Sequence, residues 1–324
     1  MHHRYPAVKV GAAAILLALL VRLAVPLAQQ PEALALLVFL QTGRVARLGT
    51  ETEAPAETAS APSAAQTDAP EAQAPLALGD LDFSAVSINA DVDISYDAEA
   101  LFYTPLTWDL TDGEPAVLIL HTHATESYTQ QAWEEYEESS AYRTLDADYN
   151  MVSIGDAVAQ LLEAGGICVI HDRQYHDYPS YNGAYVSARE TIAQYLADYP
   201  SIRMVLDIHR DAVDLEDDRQ LVTAAAVDGV RSAQIMLVAG TDTNVSYPDW
   251  QGNLALAMQL TAVLEQANPG ICRPINLRAQ RFNLDMTGGS LLIEIGASGN
   301  THDEALLAAQ ALAEGILALA HGAQ

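Results

Sequence analysis

The stretch Leu118-Ile119-Leu120-His121-Thr122-His123-Ala124-Thr125-Glu126-Ser127-Tyr128 is an apolar run that stops abruptly at two histidines and a glutamate. The run reads as a buried strand. Imidazole and carboxylate side chains are the groups from which zinc sites are built. The spacing His123-x-x-Glu126 places both on one side of a helical turn, aimed at a common point. What the stretch means depends on whether a third ligand and a catalytic group stand at comparable strand ends downstream.

Working outward, apolar runs alternate with amphipathic stretches. Strands are predicted at Ala116–His121, Ile167–His171, Arg203–His209, Gln234–Ala239 and Ser290–Ile295, and helices at Asn150–Ala164, Tyr181–Ala197, Trp250–Gln266 and His302–Ala320. In the first helix Val152, Ile154, Val158, Leu161 and Leu162 approximate a 3.6-residue stripe, and Gly165-Gly166 stops it. Strands alternating with helices imply an α/β fold, a largely parallel or mixed sheet flanked by helices. Ligand sites in such folds lie beyond the carboxyl ends of the strands. Read in order, those ends carry His121/His123/Glu126, then His171, then His209, then Glu294.

Met204-Val205-Leu206-Asp207-Ile208-His209-Arg210-Asp211 repeats the pattern of an apolar strand ending in histidine. Taken alone, Asp207 and Arg210 would serve merely to satisfy a structural histidine. Ser290-Leu291-Leu292-Ile293-Glu294-Ile295-Gly296 embeds a carboxylate in an apolar strand, where it needs a cation, a hydrogen-bond network or a raised pKa. An internal ion pair to Arg278 or Arg281 is one solution, and a metal site is the other. On the second reading Zn²⁺ is held by His123, Glu126 and His209 with a fourth position open. Glu294 is then the general base beside the zinc-activated water. Arg210, Arg278 or Arg281 is left to stabilise an oxyanion or hold a substrate carboxylate.

His121 competes with His123 for the first ligand position, because the two share a face if the strand continues. The compact His-x-x-Glu chelate favours His123, with His121 orienting a ligand from behind. Asp146 and Asp148 are weaker candidates that also suit a helix start. His171 and His176 either line the cleft or hold its wall, and His302 sits where a helix cap is expected.

The formal net charge is −28 and Lys9 is the only lysine. Without a basic surface to offset phosphate repulsion, nucleic acid is excluded as a partner. Basic residues at His2, His3, Arg4 and Lys9 precede an apolar stretch from Val10 to about Leu27, close to the ~20 residues that cross a bilayer. An uncleaved anchor with the remainder of the chain outside is expected over a signal peptide cut near Ala24–Gln29. Residues 49 to about 77, rich in Ala, Pro, Glu, Thr and Ser, cannot bury enough surface to order themselves. The expected division is therefore 1–30 cytoplasmic tip and transmembrane anchor, 31–100 juxtamembrane segment and linker, and 101–324 folded domain. Cys168 and Cys272 are open to two readings, one disulfide or two buried thiols.

The blocks HTHATESY, NMVSIGDAVAQLLEAGGICVIHD, VLDIHRDA and LLIEIGASGNT followed by EALLAAQALAEGI resemble the stage II sporulation protein P family, membrane-anchored peptidoglycan hydrolases of spore-forming bacteria. The resemblance runs from about Leu101 to the C-terminus. It implies a fold similar to zinc-dependent N-acetylmuramoyl-L-alanine amidases and, more distantly, zinc carboxypeptidases. It further implies cleavage of the amide between the lactyl group of N-acetylmuramic acid and L-alanine, and endopeptidase action on cross-links. The implied setting is engulfment, alongside stage II sporulation proteins D and M. Within the matching blocks stand His123, Glu126, His209 and Glu294. The acidic, lysine-poor composition departs from simple electrostatic docking to an anionic wall.

Overall fold

The computed structural model describes residues 77–213 and 219–322. The expected anchor and the expected linker as far as residue 76 fall outside these described residues. In chain order the elements are β1 (Ile88–Ala90), α1 (Ala98–Phe102), β2 (Val117–Leu120), the antiparallel pair β3 (Glu138–Ser140) and β4 (Arg143–Thr144), and α2 (Met151–Ala164). There follow β5 (Val169–His171), α3 (Ala184–Asp198), β6 (Met204–Asp211), a second antiparallel pair β7 (Ala225–Val227) and β8 (Val230–Ser232), and β9 (Ile235–Gly240). The chain closes with α4 (Trp250–Ala267), β10 (Ile275–Arg278), β11 (Ser290–Ala297) and α5 (His302–Gly322).

The main sheet has seven strands in the order β1-β10-β9-β11-β6-β2-β5. The block β11, β6, β2, β5 is parallel throughout. At β11 the direction reverses: β9 pairs with it antiparallel, and β10 and β1 follow β9. The cause lies in the connections. A parallel return needs a crossover, usually a helix. Among the described residues between β6 and β9 there is only the short β7–β8 pair, so β9 starts at the end of the sheet where β6 stops. β1 is an edge strand of this sheet, and Leu81 and Phe102 are buried in the core. Folded structure therefore begins ahead of residue 101, inside the stretch assigned to the linker. Three residues without an alternating pattern give a sequence reading nothing to detect.

α2 starts where the Asn150 side chain accepts a hydrogen bond from Val152 N at 2.9 Å, satisfying one exposed helix N–H. Its stripe of Val152, Ile154, Val158 and Leu162 is buried, as the periodicity predicted. α5 opens on a reciprocal cap: Glu304 N donates to Thr301 Oγ1 and Thr301 N to Glu304 Oε2, both at 3.2 Å. α5 is long and apolar enough to cross a membrane. It packs instead against α2 and α4, with Leu312, Ala313 and Ile316 buried, and is a core helix.

The two faces of the parallel block bury separate cores. Met204, Leu206 and Ile208 belong to the large core, whereas Val205 joins Leu118, Leu120, Ala188 and Ile192 beneath α3. Each fully buried aliphatic side chain contributes roughly 1.5–3 kcal/mol. By the same alternation, Asp207 and His209 lie on the α3 side. Cys168 and Cys272 are free thiols.

Candidate active site

β2 ends at Leu120, and the chain then folds into a tight turn that Glu126 N closes by donating to His123 O at 3.1 Å. The segment after it is stitched down by backbone. Thr144 N donates to Thr125 O at 2.8 Å, Ser127 N to Tyr142 O at 2.9 Å, and Met151 N to Glu126 O at 3.1 Å. His123 and Glu126 thus share one turn held by the β3–β4 pair and the start of α2.

Because the strand stops, His121 and His123 do not share a face. His121 turns under α2, with Nδ1 2.8 Å from Ile208 O and Nε2 2.8 Å from His171 Nε2. His171 Nδ1 is in turn 2.8 Å from Asp156 Oδ1. Gly155 makes this possible: a Cβ there would stand 2.4 Å from both Nε2 atoms. Burial pushes the His121 pKa down to about 3. His121 therefore touches the backbone next to His209, and its ring is committed to His171.

On the other side of the turn His123, Glu126, His209 and Glu294 gather, with Asp207 and two tyrosines around them. The His123 and His209 rings meet edge-on at 5.3 Å. Tyr181 stacks on His123 at 4.5 Å and Tyr185 meets it edge-on at 5.6 Å. His209 Nδ1 lies 3.5 Å from Glu126 Oε2. Its Nε2 lies 2.8 Å from Asp207 Oδ1, but off the hydrogen-bond direction. Asp207 is itself held by Thr122, accepting from N at 2.8 Å and Oγ1 at 2.6 Å. Glu294 is in parallel register with His209 on the neighbouring strand. His123 Nδ1, His209 Nε2 and Glu294 Oε2 are all buried without a hydrogen-bond partner. Such atoms cost roughly 1–3 kcal/mol each, and here they lie together on neighbouring elements.

The electrostatics divide the two carboxylates. Burial opposes ionisation of Glu126, but Arg210 and His209 outweigh it and bring the pKa down to about 2. Burial raises Glu294 to about 8, with Glu126 and Asp211 adding to the rise. Burial also opposes a charge on His209, yet Asp207 and Glu126 overcome it and hold the ring protonated well above its ordinary pKa. For His123, burial and the nearby His209 bring the pKa down to about 4.

The donor chemistry fits zinc, with His123 keeping Nδ1 unpaired, His209 turning Nδ1 toward Glu126, and Glu126 an ionised carboxylate. Convergence is incomplete: among the described residues no three His, Cys, Asp or Glu side chains form a group that could hold a metal ion as they stand.

The arginines separate. Arg210 is buried, and Nε donates to Ser127 O at 2.8 Å while Nη2 donates to Tyr142 O at 2.9 Å. Its backbone N donates to Glu126 Oε2 at 3.3 Å. It braces the turn and places positive charge near Glu126. Arg278 lies in register with Gly240, at the end of the sheet where β11 begins, and its Nε is 3.8 Å from Asp91. The reversal of β9 and β10 carries it away from His209 and Glu294, so it does not join them. Arg281 pairs with Asp285 at 3.0 Å, and Asp285 is also gripped by Arg189. His176 bonds Ser187 and Asp172, and His302 bonds Ser153.

Residues outside the quoted motifs complete the wall: Arg143, Asp177, Tyr181 and Tyr185. A cleft of about 410 Å³ opens beside the turn, lined in part by Ser139, Ser140, Arg143, Asp177 and Tyr181. One signal was available. Arg143 is the lone basic residue between Glu134 and Asp148, a stretch that also holds Glu135, Glu137, Glu138 and Asp146.

Stage II sporulation protein P of Bacillus subtilis (strain 168) is 26% identical over 215 residues, 63% of this chain and 51% of that protein. The chain thus spans about half the length of that relative. Among solved structures, the N-acetylmuramoyl-L-alanine amidase AmiC2 of Nostoc punctiforme is similar with a TM-score of 0.38 and 16% identity, covering 62% of this chain and 95% of its own. The CwlD amidase from Clostridioides difficile, solved in complex with the GerS lipoprotein, has a TM-score of 0.38 and 13% identity, covering 62% and 96% respectively. The profile of the family described as stage II sporulation protein P matches residues 40–317, and the chain belongs to that family.

Proposed function

We propose that this chain is a zinc-dependent peptidoglycan hydrolase that cuts the amide between the lactyl group of N-acetylmuramic acid and L-alanine. The observation that carries the reading is the buried, partnerless Nδ1 of His123 and Oε2 of Glu294 gathered with His209 beside an ionised Glu126. His123, Glu126 and His209 would hold zinc. Zinc, when bound, acidifies water and polarises the scissile carbonyl. Glu294 takes a proton from the attacking water at its free Oε2 and returns it to the departing amine. Its pKa of about 8 belongs to the metal-free chain, and a dication nearby favours the carboxylate. Asp207, anchored by Thr122, keeps His209 in place. Membership of the sporulation family supports a role in engulfment. A membrane anchor within residues 1–30, an extracytoplasmic active domain, and stage II sporulation proteins D and M as partners belong to the same proposal.

The test is metal analysis of the full chain together with digestion of muropeptides, with and without a chelator. The reading expects about one zinc per chain and chelator-sensitive release of free lactyl ends. Cleavage confined to peptide bonds would make the chain a zinc peptidase. A metal-free chain whose effect on wall material survives Glu294→Gln would make it a non-catalytic binding partner.

A further inference from the structure

Arg143, from β4, reaches into the turn that carries the proposed ligands and makes three kinds of contact there. Its Nη2 donates to Glu126 Oε1 at 3.2 Å. Its Nη1 donates to Thr125 Oγ1 at 3.0 Å and to Asp177 Oδ2 at 2.8 Å. Its guanidinium carbon lies 4.9 Å from the centroid of the Tyr181 ring, which is the ring stacked on His123.

Three consequences follow from this geometry. With Oε1 of Glu126 tied to Arg143, the other oxygen, Oε2, is the one that faces His209. The Tyr181 ring, packed against the same guanidinium, limits rotation of the His123 imidazole. Asp177 fixes the fork, and it is buried and further held by Thr125. The outer edge of Arg143 meanwhile lines the cleft.

We infer that Arg143 is a positioning residue for the centre, setting the carboxylate of Glu126 directly and the ring of His123 through Tyr181. The inference rests on the zinc reading proposed above. A planar fork is needed for it, because a lysine ammonium offers one point of charge and cannot span Glu126 and Asp177 together.

The experiment titrates full-length chain with Zn²⁺ against a competing chelator, and records the visible absorption of the Co²⁺-loaded form. Arg143→Met and Arg143→Lys are compared with wild type, and far-UV circular dichroism reports folding. Outer partners of metal ligands typically contribute ~10–100-fold in affinity. Arg143→Met is expected to lose about that much and to shift the Co²⁺ spectrum while remaining folded. Arg143→Lys is expected to recover part of the affinity with an altered spectrum. Wild-type affinity and spectrum in a folded Arg143→Met overturn the inference and leave the zinc reading standing. If Arg143→Met does not fold, an unchanged spectrum and affinity in Arg143→Lys overturn it instead. A wild-type chain that binds neither ion takes down both readings.

Discussion

Two histidine clusters hang from the same short turn, and the contrast between them separates a structural site from a chemical one. Beneath α2, His121 uses Nδ1 toward Ile208 O and Nε2 toward His171, and His171 closes on Asp156. Every ring nitrogen there has a protein partner. On the α3 side, His123, His209 and Glu294 are just as deeply set but keep polar atoms unpaired. Buried polar groups are paired in the great majority of cases. The saturated cluster is therefore complete as it stands, whereas the other is arranged for something the chain itself does not provide.

The strongest way to break this contrast is Glu294→Gln. General acid–base groups typically contribute 10²–10⁴-fold, so muropeptide turnover should fall by about that factor. Stability should move the other way. Glu294 is raised to about 8, so the folded chain holds its proton far above the ordinary carboxylate range of ~4.3. The stability tied to that proton is present below the unfolded pKa and is lost as pH rises through about 8. Metal-free Glu294→Gln should therefore match wild type in acid and outlast it in denaturant at higher pH. A variant that loses activity because it melts earlier at pH 8 would reassign Glu294 to the structural class.

Next in size is the pH dependence of metal binding. His209 is held protonated above its ordinary range by Asp207 and Glu126, and that proton must leave before the ring can bind an ion. Zinc affinity should drop at least tenfold for each pH unit lowered below the His209 pKa, with about one proton released from His209 per ion and a second from Glu294 below about pH 8. Calorimetry in buffers of different ionisation enthalpy counts those protons. No proton release would mean that His209 is not a ligand.

The saturated cluster is probed by Gly155→Ala. The added methyl would meet His121 Nε2 and His171 Nε2 at 2.4 Å, with no room to shift either ring without losing its bonds. Overpacking of this kind costs typically 1–3 kcal/mol. A urea melt should show that loss, while the folded fraction keeps zinc affinity within a few-fold. If affinity falls with stability unchanged, the two clusters are coupled more tightly than their hydrogen bonds indicate.

How much of this was legible beforehand depended on range. The apolar runs at Val117–Leu120 and Ser290–Ala297 and the Asn150-capped helix follow from local pattern, and so did the parallel block they build. The turn at His123–Glu126 was implied by spacing. That His121 leaves the face of His123 was not, because it depends on the strand stopping at Leu120 and on Gly155 admitting two rings from another element. Asp207 was read as a possible satisfier of His209, and it does lie against that ring. Arg143 and Asp177 come from segments with no periodic signal and reach the site only through tertiary contact, whereas Tyr181 opens the predicted helix but stands just ahead of the observed one, which begins at Ala184. β1 is three residues long and is a strand only because β10 lies beside it.

The smallest effect belongs to Arg278 and Arg281, the first at the end of a sheet strand and the second just beyond it, neither sharing the site. A purely parallel sheet would bring the carboxyl end of β10 level with those of β6 and β11, and Arg278 beside Glu294. The absence of a described helix between β6 and β9 reverses β9 and β10 and sends Arg278 to the opposite end, near Asp91. Substitutions at partly exposed positions away from special features usually stay within ±0.5 kcal/mol. Arg278→Ala should leave kcat/KM within about twofold, because the side chain lies at the opposite end of the sheet from His209 and Glu294 and makes no contact there whose loss would raise the barrier. Arg281→Ala should cost slightly more, because Asp285 keeps its bidentate grip on Arg189 but loses its second cation next to Phe282, which packs on Tyr185. A tenfold loss in Arg278→Ala with an unchanged melt would put this arginine in contact with substrate, and the cleft would then have to extend around the edge of the sheet rather than stop at the turn.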